Sequence, residues 1–187
     1  MQRVIALGFF DGVHIGHRHV IDRLVSAARE RGTESVVVTF WPHPRTVLQN
    51  DARTLRLLTS LSEKKALLKG LGVDRVEVLP FTPEFASLSA ERYVREILEG
   101  RFGATTIVMG YDNRLGSDRC GPEEIGRIAS EEGMRTIVVP PFGLDVAGGG
   151  PVSSTRIRNL LACNDVADAN AMLGYDYFPE VGSVKRE

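Results

Sequence analysis

The chain has 187 residues, 43% of them hydrophobic and 25% charged, with a formal net charge of −1 at pH 7. That length supports one domain with a core that needs no staples, and the near-neutral charge excludes a global basic field for nucleic acid or an anionic membrane surface. Two cysteines outside any CxxC pair exclude a disulfide framework, and neither a bilayer-spanning apolar run nor a signal-peptide pattern is present, so a cytoplasmic protein is expected.

In chain order, RVIALG (Arg3 to Gly8) is the first buried-strand pattern. A helix beginning near Gly16 follows, with Val20, Ile21, Leu24, Val25 and Ala28 as its apolar stripe and Gly32 as its stop. SVVVTF (Ser35 to Phe40) is the second strand, and Trp41 to Leu61 a long connection stiffened by Pro42 and Pro44. A helix over Ser62 to Leu71 leads to a third strand, RVEVLP (Arg75 to Pro80). Phe81 and Phe85 read as core, and Ser89 as the cap of a helix over Ala90 to Leu98. TIVMG (Thr106 to Gly110) and RTIVVP (Arg135 to Pro140) are the last strands, separated by a helix over Pro122 to Glu132. A second long connection, Pro140 to Val152 with Gly148, Gly149 and Gly150, precedes a helical pair from Thr155 onward. Strand–helix alternation of this kind predicts an α/β, Rossmann-like, doubly wound sheet of about five parallel strands in the order 3-2-1-4-5, with helices on both faces.

Ligands bind such sheets outside the carboxyl ends of the strands, where the strand order reverses. Three unusual segments fall there. GFFDGVHIGHRH, Gly8 to His19, has glycines that allow a tight turn and close backbone approach. Its His14 and His17 share a helix face and can reach phosphate oxygens, helped by free amides at the helix start. Histidines and Arg18 around a first helical turn oppose the helix dipole, which implies an anion that the chain does not supply. VSSTRIR repeats the oddity. Ser153, Ser154 and Thr155 are good N-cap residues, yet Arg156 and Arg158 stand where a capping box would place acids. Hydroxyls beside a forked cation hold phosphate oxygens, so a polyphosphate clamped between two helix ends is expected. In GYDNRLGSDRCG, Asp112 either orients a substrate or metal-bound water, or caps a turn. Trp41 and His43 are equally packing or contact. Neither GxxxxGK[ST] nor GxSxG, HExxH or paired CxxC occurs.

HIGH at His14 to His17 has the HxGH pattern of nucleotidylyltransferases and class I aminoacyl-tRNA synthetases, but the chain is short for a synthetase and VSSTRIR is not their lysine-rich loop. GFFDGVHIGH, TFWPHP, LLTSLSEKKALLKGLGVD, LPFTPEFASLSAERYV, VMGYD and VSSTRIRNLL together resemble the adenylyltransferase module of bacterial FAD synthetase, nearly end to end. The resemblance implies transfer of AMP from ATP to FMN, with Mg²⁺, giving FAD and pyrophosphate without a covalent intermediate. It implies that His14 and His17 contact the ATP phosphates and that Ser154, Thr155 and Arg158 hold the leaving pyrophosphate. Gly8, Phe9, Phe10, Asp11 and Gly16 would form the nucleotide site with Gly110, Ser153 and Arg156. Asp112, Leu115, Pro42, Pro44 and Leu48 would take the flavin; metal ligands are not assigned. Where the family commonly reads GYDFRFG, this chain has GYDNRLG, with Asn113 and Leu115 in place of aromatics. Loss of a stacked ring there is worth about 0.5–1.5 kcal/mol beyond its area. That departure keeps two alternatives open: a related nucleotidylyltransferase with another phosphorylated acceptor, or a non-catalytic nucleotide- or flavin-binding regulatory module. The expected domain is 1–175. Residues 176–187 resemble the segment where a riboflavin kinase module begins in many family members, and no riboflavin kinase activity is expected.

Overall fold

The computed structural model describes residues 2–48, 56–143 and 149–177. Its five strands are β1 (Arg3–Leu7), β2 (Glu34–Trp41), β3 (Arg75–Pro80), β4 (Ala104–Gly110) and β5 (Arg135–Val139). All pair in parallel, in the order β3-β2-β1-β4-β5, as the alternation predicts. Ile5 faces Val36 on one side and Ile107 on the other.

Continuous apolar runs are needed because both sheet faces are covered. Ile5, Leu7, Val36, Val38, Ile107 and Met109 point to one core, while Val4, Ala6, Val37 and Val108 point to the other. The second core takes the predicted stripe of α1 (Ile15–Arg31), together with Leu68 of α3 (Leu61–Gly70). Gly32 ends α1 in the left-handed conformation. On the first face lie α5 (Ala90–Arg92), which runs directly into a π-helical segment (Tyr93–Arg101), and α6 (Pro122–Glu131). The sequence predicts a single helix ending at Leu98; the structure extends it to Arg101. Ser89 caps it by accepting the Arg92 amide, and Phe81 and Phe85 pack on Phe40 as expected.

Two short helices, α2 (Pro44–Leu48) and α4 (Pro83–Ala86), follow β2 and β3. The C-terminal pair, α7 (Ser154–Ala162) and α8 (Val166–Leu173), forms a third apolar cluster from Leu58, Val152, Ile157, Ala169, Met172 and Leu173. Residues 178–187, most of the predicted tail, lie outside the described residues, as do Gly148 and the middle of the first long connection. Among the described residues no helix is long and apolar enough to cross a membrane. Cys120 and Cys163 are free thiols.

Candidate nucleotide site

The chain leaves β1 through a turn that costs energy and is held from several directions. Phe10 (φ 55°) and Val13 (φ 38°) are left-handed, a genuine outlier for a β-branched residue. Gly12 (φ 79°) leaves no room for a side chain, since a Cβ would stand 2.8 Å from Leu58 Cδ1. Four of the turn carbonyls are gripped by side chains. Lys64 Nζ and Thr39 Oγ1 both donate to Phe9 O at 3.0 Å, and Ser154 Oγ donates to Asp11 O at 3.0 Å. Tyr175 Oη donates to Gly12 O at 2.8 Å, and Arg18 Nε to Val13 O at 3.3 Å. The Asp11 carboxylate, buried, accepts the amides of Leu58 (2.9 Å) and Thr59 (3.3 Å) through Oδ1. Its Oδ2 pairs with Arg158 Nη1 at 2.7 Å. Burial pushes the Asp11 carboxyl up, against the pull of Arg158.

This rigid turn delivers His14 as the N-cap of α1. Its Nδ1 accepts the His17 amide at 3.2 Å, which places the proton of the neutral ring on Nε2. The His14 and His17 rings stack with centroids 3.5 Å apart and 14° between planes. Burial, reinforced by Arg158, lowers the His14 pKa to about 4. Burial, then His14 and Lys64, holds His17 well below the ordinary imidazole range. Both rings are therefore neutral at pH 7, and His17 Nδ1 is buried without a hydrogen-bond partner.

That result corrects the dipole argument. The histidines are not cations, and His14 supplies the helix with a cap. Nor are the arginines waiting for an outside anion. Arg158 is paired with Asp11, Arg156 donates to the carbonyls of Gly150 and Pro151, and Arg18 also lies over the Tyr175 ring. The chain supplies a partner for each. What the helix starts offer a ligand is neutral N–H and O–H donors and the dipole itself.

A buried neutral histidine makes stability depend on pH. The folded pKa of His14 lies below its unfolded value, so between about pH 6.5 and 4 the unfolded chain binds the extra proton. Stability is full above that window and falls as pH drops through it, by at most about 1.4 kcal/mol per pH unit for this one group. His14→Asn keeps a capping acceptor and removes the titration. Urea unfolding should show a smaller loss between pH 7 and pH 4 in His14→Asn than in the wild type.

The second helix start faces the first. Ser153 caps α7 by accepting the Arg156 amide at 3.3 Å. One cavity of about 350 Å³ at the carboxyl ends of β1, β4 and β5 is lined by Gly8, Phe9, Phe10, His14, Gly16 and His17, and across from them by Ser153, Ser154 and Thr155. Gly110, Asp112, Asn113 and Arg114 form its β4 side, and Pro140, Pro141 and Phe142 its β5 side. The two motif segments thus share one cavity of the size that nucleotide ligands occupy.

Some of the expected site residues lie off this cavity. Asp11, Arg156 and Arg158 do not line the cavity, because each is spent on holding the loops around it. Leu115 is also absent from the wall. It pairs with Cys120 and turns into the core beside Met109 and Ile125, where its apolar side chain is 5% exposed. Pro42, Pro44 and Leu48 stay off the wall too; their segment reaches the site through His43, whose ring meets Phe9 edge-on at 4.0 Å.

A family model described as FAD synthetase matches residues 1–156. The chain belongs to the FAD synthetase family. It is 35% identical over 178 residues to a bifunctional riboflavin kinase/FMN adenylyltransferase of Listeria monocytogenes, covering 95% of this chain and 55% of that one. A protein of the same description from Pseudomonas fluorescens is 37% identical over 172 residues, covering 91% and 54%. The chain thus spans about half the length of these curated relatives. Among solved structures, one from Streptococcus pneumoniae described as a macrolide-efflux protein superposes with a TM-score of 0.82 at 30% identity, covering 93% of this chain and 55% of that one. A pantoate-beta-alanine ligase from Francisella tularensis reaches 0.55 at 15% identity over 97% of this chain and 74% of its own, and shares the fold.

Within this FAD synthetase fold, sequence reading does not single out Tyr111 and Phe142, which line the cavity. The two residues, exposed by 41% and 38%, put aromatic surface on the cavity wall. Asn113 reaches the wall with its amide nitrogen buried and unpartnered. Tyr111 stands within the quoted GYD, beside the aspartate, and an aromatic directly after a strand at the switch point is the signal that marks it.

Proposed function

We propose that this chain transfers AMP from Mg-ATP to FMN, giving FAD and pyrophosphate. The observation that carries the reading is the convergence of two helix N-termini, one bearing His14 and His17 and the other Ser153 to Thr155, on one cavity at the sheet's reversal point. An oxygen of the FMN phosphate attacks the ATP α-phosphorus in line; one P–O bond forms as the α–β bridge breaks, and the electron pair leaves with pyrophosphate. No protein nucleophile is required, so rate comes from positioning and from neutralising charge on the departing group. The Nε2–H of His14 and the adjacent His17 ring, with the Thr155 hydroxyl and the free amides of the α7 start, would donate to that charge, while Ser154 spends its hydroxyl proton on the Asp11 carbonyl and ties the two helix starts together. Arg158 acts from behind: its guanidinium holds Asp11, which holds the turn.

Among the described residues no three or more His, Cys, Asp or Glu side chains converge as a metal site. Asp112 is the one carboxylate on the cavity wall among them. Magnesium that keeps waters and phosphate oxygens as ligands needs no more than one or two carboxylates, so these residues fit an ion that arrives with ATP. The ion would screen the phosphate charge, with Asp112 as its protein contact.

Incubating the protein with Mg-ATP and FMN should yield FAD and pyrophosphate in equal amounts. Pyrophosphate release only with another phosphorylated acceptor, or binding of both substrates without turnover, overturns the assignment.

A further inference from the structure

We infer that Lys64 is a positioning residue of the nucleotide site, its buried ammonium fixing Phe9 and thereby the turn that carries His14 and His17. Lys64 sits on the inner face of α3 and is 1% exposed. Lysine is almost never buried to that degree without partners. Here it has three. Nζ donates to Phe9 O at 3.0 Å and to Thr39 Oγ1 at 3.2 Å, and lies 3.9 Å from the centroid of the Phe9 ring. Phe9 is therefore held twice by one charge, at its carbonyl and at its ring, and His43 closes the ring's edge. The next residue, Phe10, is the first left-handed position of the turn.

A structural lysine would not need this place. Thr39 already donates to Phe9 O, so the carbonyl keeps a partner without the ammonium. An apolar chain of similar volume would fill the same space without the cost of burying charge. What only the cation adds is a strong, charge-assisted grip on Phe9 and a positive field beneath the cavity floor. The ionisable groups that face it are Asp11 of the turn, His17 of α1 and His43 beyond β2. Both histidines are neutral at pH 7 because burial lowers them. Burial lowers Lys64 itself to about 8, partly offset by Asp11, so its charge is lost within an accessible pH range.

The inference rests on the adenylyl-transfer reading, and its test separates the two. The readouts are kcat/KM for Mg-ATP, followed as FAD formed, and the Kd of Mg-ATP by calorimetry, both from neutral pH to about 9.5. Wild-type protein that forms no FAD overturns the reading, and calorimetry then still tests Lys64. For the wild type, kcat/KM and affinity should fall as pH passes about 8. Lys64→Met should lower kcat/KM at neutral pH by roughly tenfold or more, lose the alkaline limb, and melt no lower than the wild type. A Lys64→Met protein within about twofold of wild type at neutral pH, or one that keeps the limb, overturns the inference. Should Lys64→Met not fold, Thr39→Val decides. It removes one acceptor from the ammonium, so the limb should move to lower pH, and an unmoved limb overturns the inference.

Discussion

His17→Ala will lower FAD turnover by about 10²–10³-fold, the size of effect seen when one preorganised donor to a developing anion is removed. The fold should survive. The His17 ring makes no hydrogen bond through Nδ1, and α1 is capped by His14 rather than by His17. The loss should fall on kcat and kcat/KM together, because the donor matters most when charge has built up on pyrophosphate. His14→Ala is a less clean experiment. It removes a donor and also the N-cap, and caps of this kind are worth about 0.5–2 kcal/mol of stability. Comparing the two variants by melting temperature and by turnover separates the contributions. Wild-type turnover in His17→Ala, with unaltered ATP affinity, removes His17 from the mechanism.

The sheet order is legible in the sequence because the strands are short Val/Ile-rich runs between helical stripes, the inner β1, β2 and β4 nearly unbroken and the edge strand β3 interrupted by Glu77. Strands at the centre of a parallel sheet covered on both faces read this way. The convergence of the first and last motifs is legible for the same reason: strand order fixes which loops share a crevice. Side-chain partners are a different matter. Arg158 looks like a spare cation next to Ser154 and Thr155, but its partner Asp11 is 147 residues away and no local pattern links them. Lys64 sits in SEKK, where two adjacent lysines suggest a solvated face; α3 sends one inward and leaves Lys65 outside. The neighbours of Leu115 in GYDNRLG suggest a wall residue. A paired bridge to Cys120 rotates it inward, and Gly116 is pressed so closely against the backbone of Ala90 that a Cβ there would clash. The histidines mislead through their charge: an imidazole counts as a cation at a helix start only if its ring is well solvated, and burial lowers both of these.

The second large effect concerns the pair beneath the cavity. Asp11→Ala strands the Arg158 guanidinium and leaves the Leu58 and Thr59 amides without their acceptor. Breaking one side of a buried ion pair costs about 3–5 kcal/mol, so the variant should unfold at much lower urea and lose turnover. Stability alone would then explain the lost activity, and the pair could be mere scaffolding. Combining Asp11→Asn with Arg158→Met distinguishes the cases. Asparagine keeps an oxygen for the two amides, methionine fills the volume of the arginine stem, and the stranded charge is gone. A double variant of this kind should recover most of the stability lost in Asp11→Ala, because replacing both ionic partners is commonly near neutral. Turnover should stay low, since Arg158 is close enough to His14 to depress its pKa and its charge contributes to the field in which pyrophosphate leaves. The coupling from a full double-mutant cycle, measured in both observables, decides between the two roles. Recovery of turnover in step with stability would reduce Arg158 to a strut for the turn. Recovery of stability alone would place its charge in the chemistry.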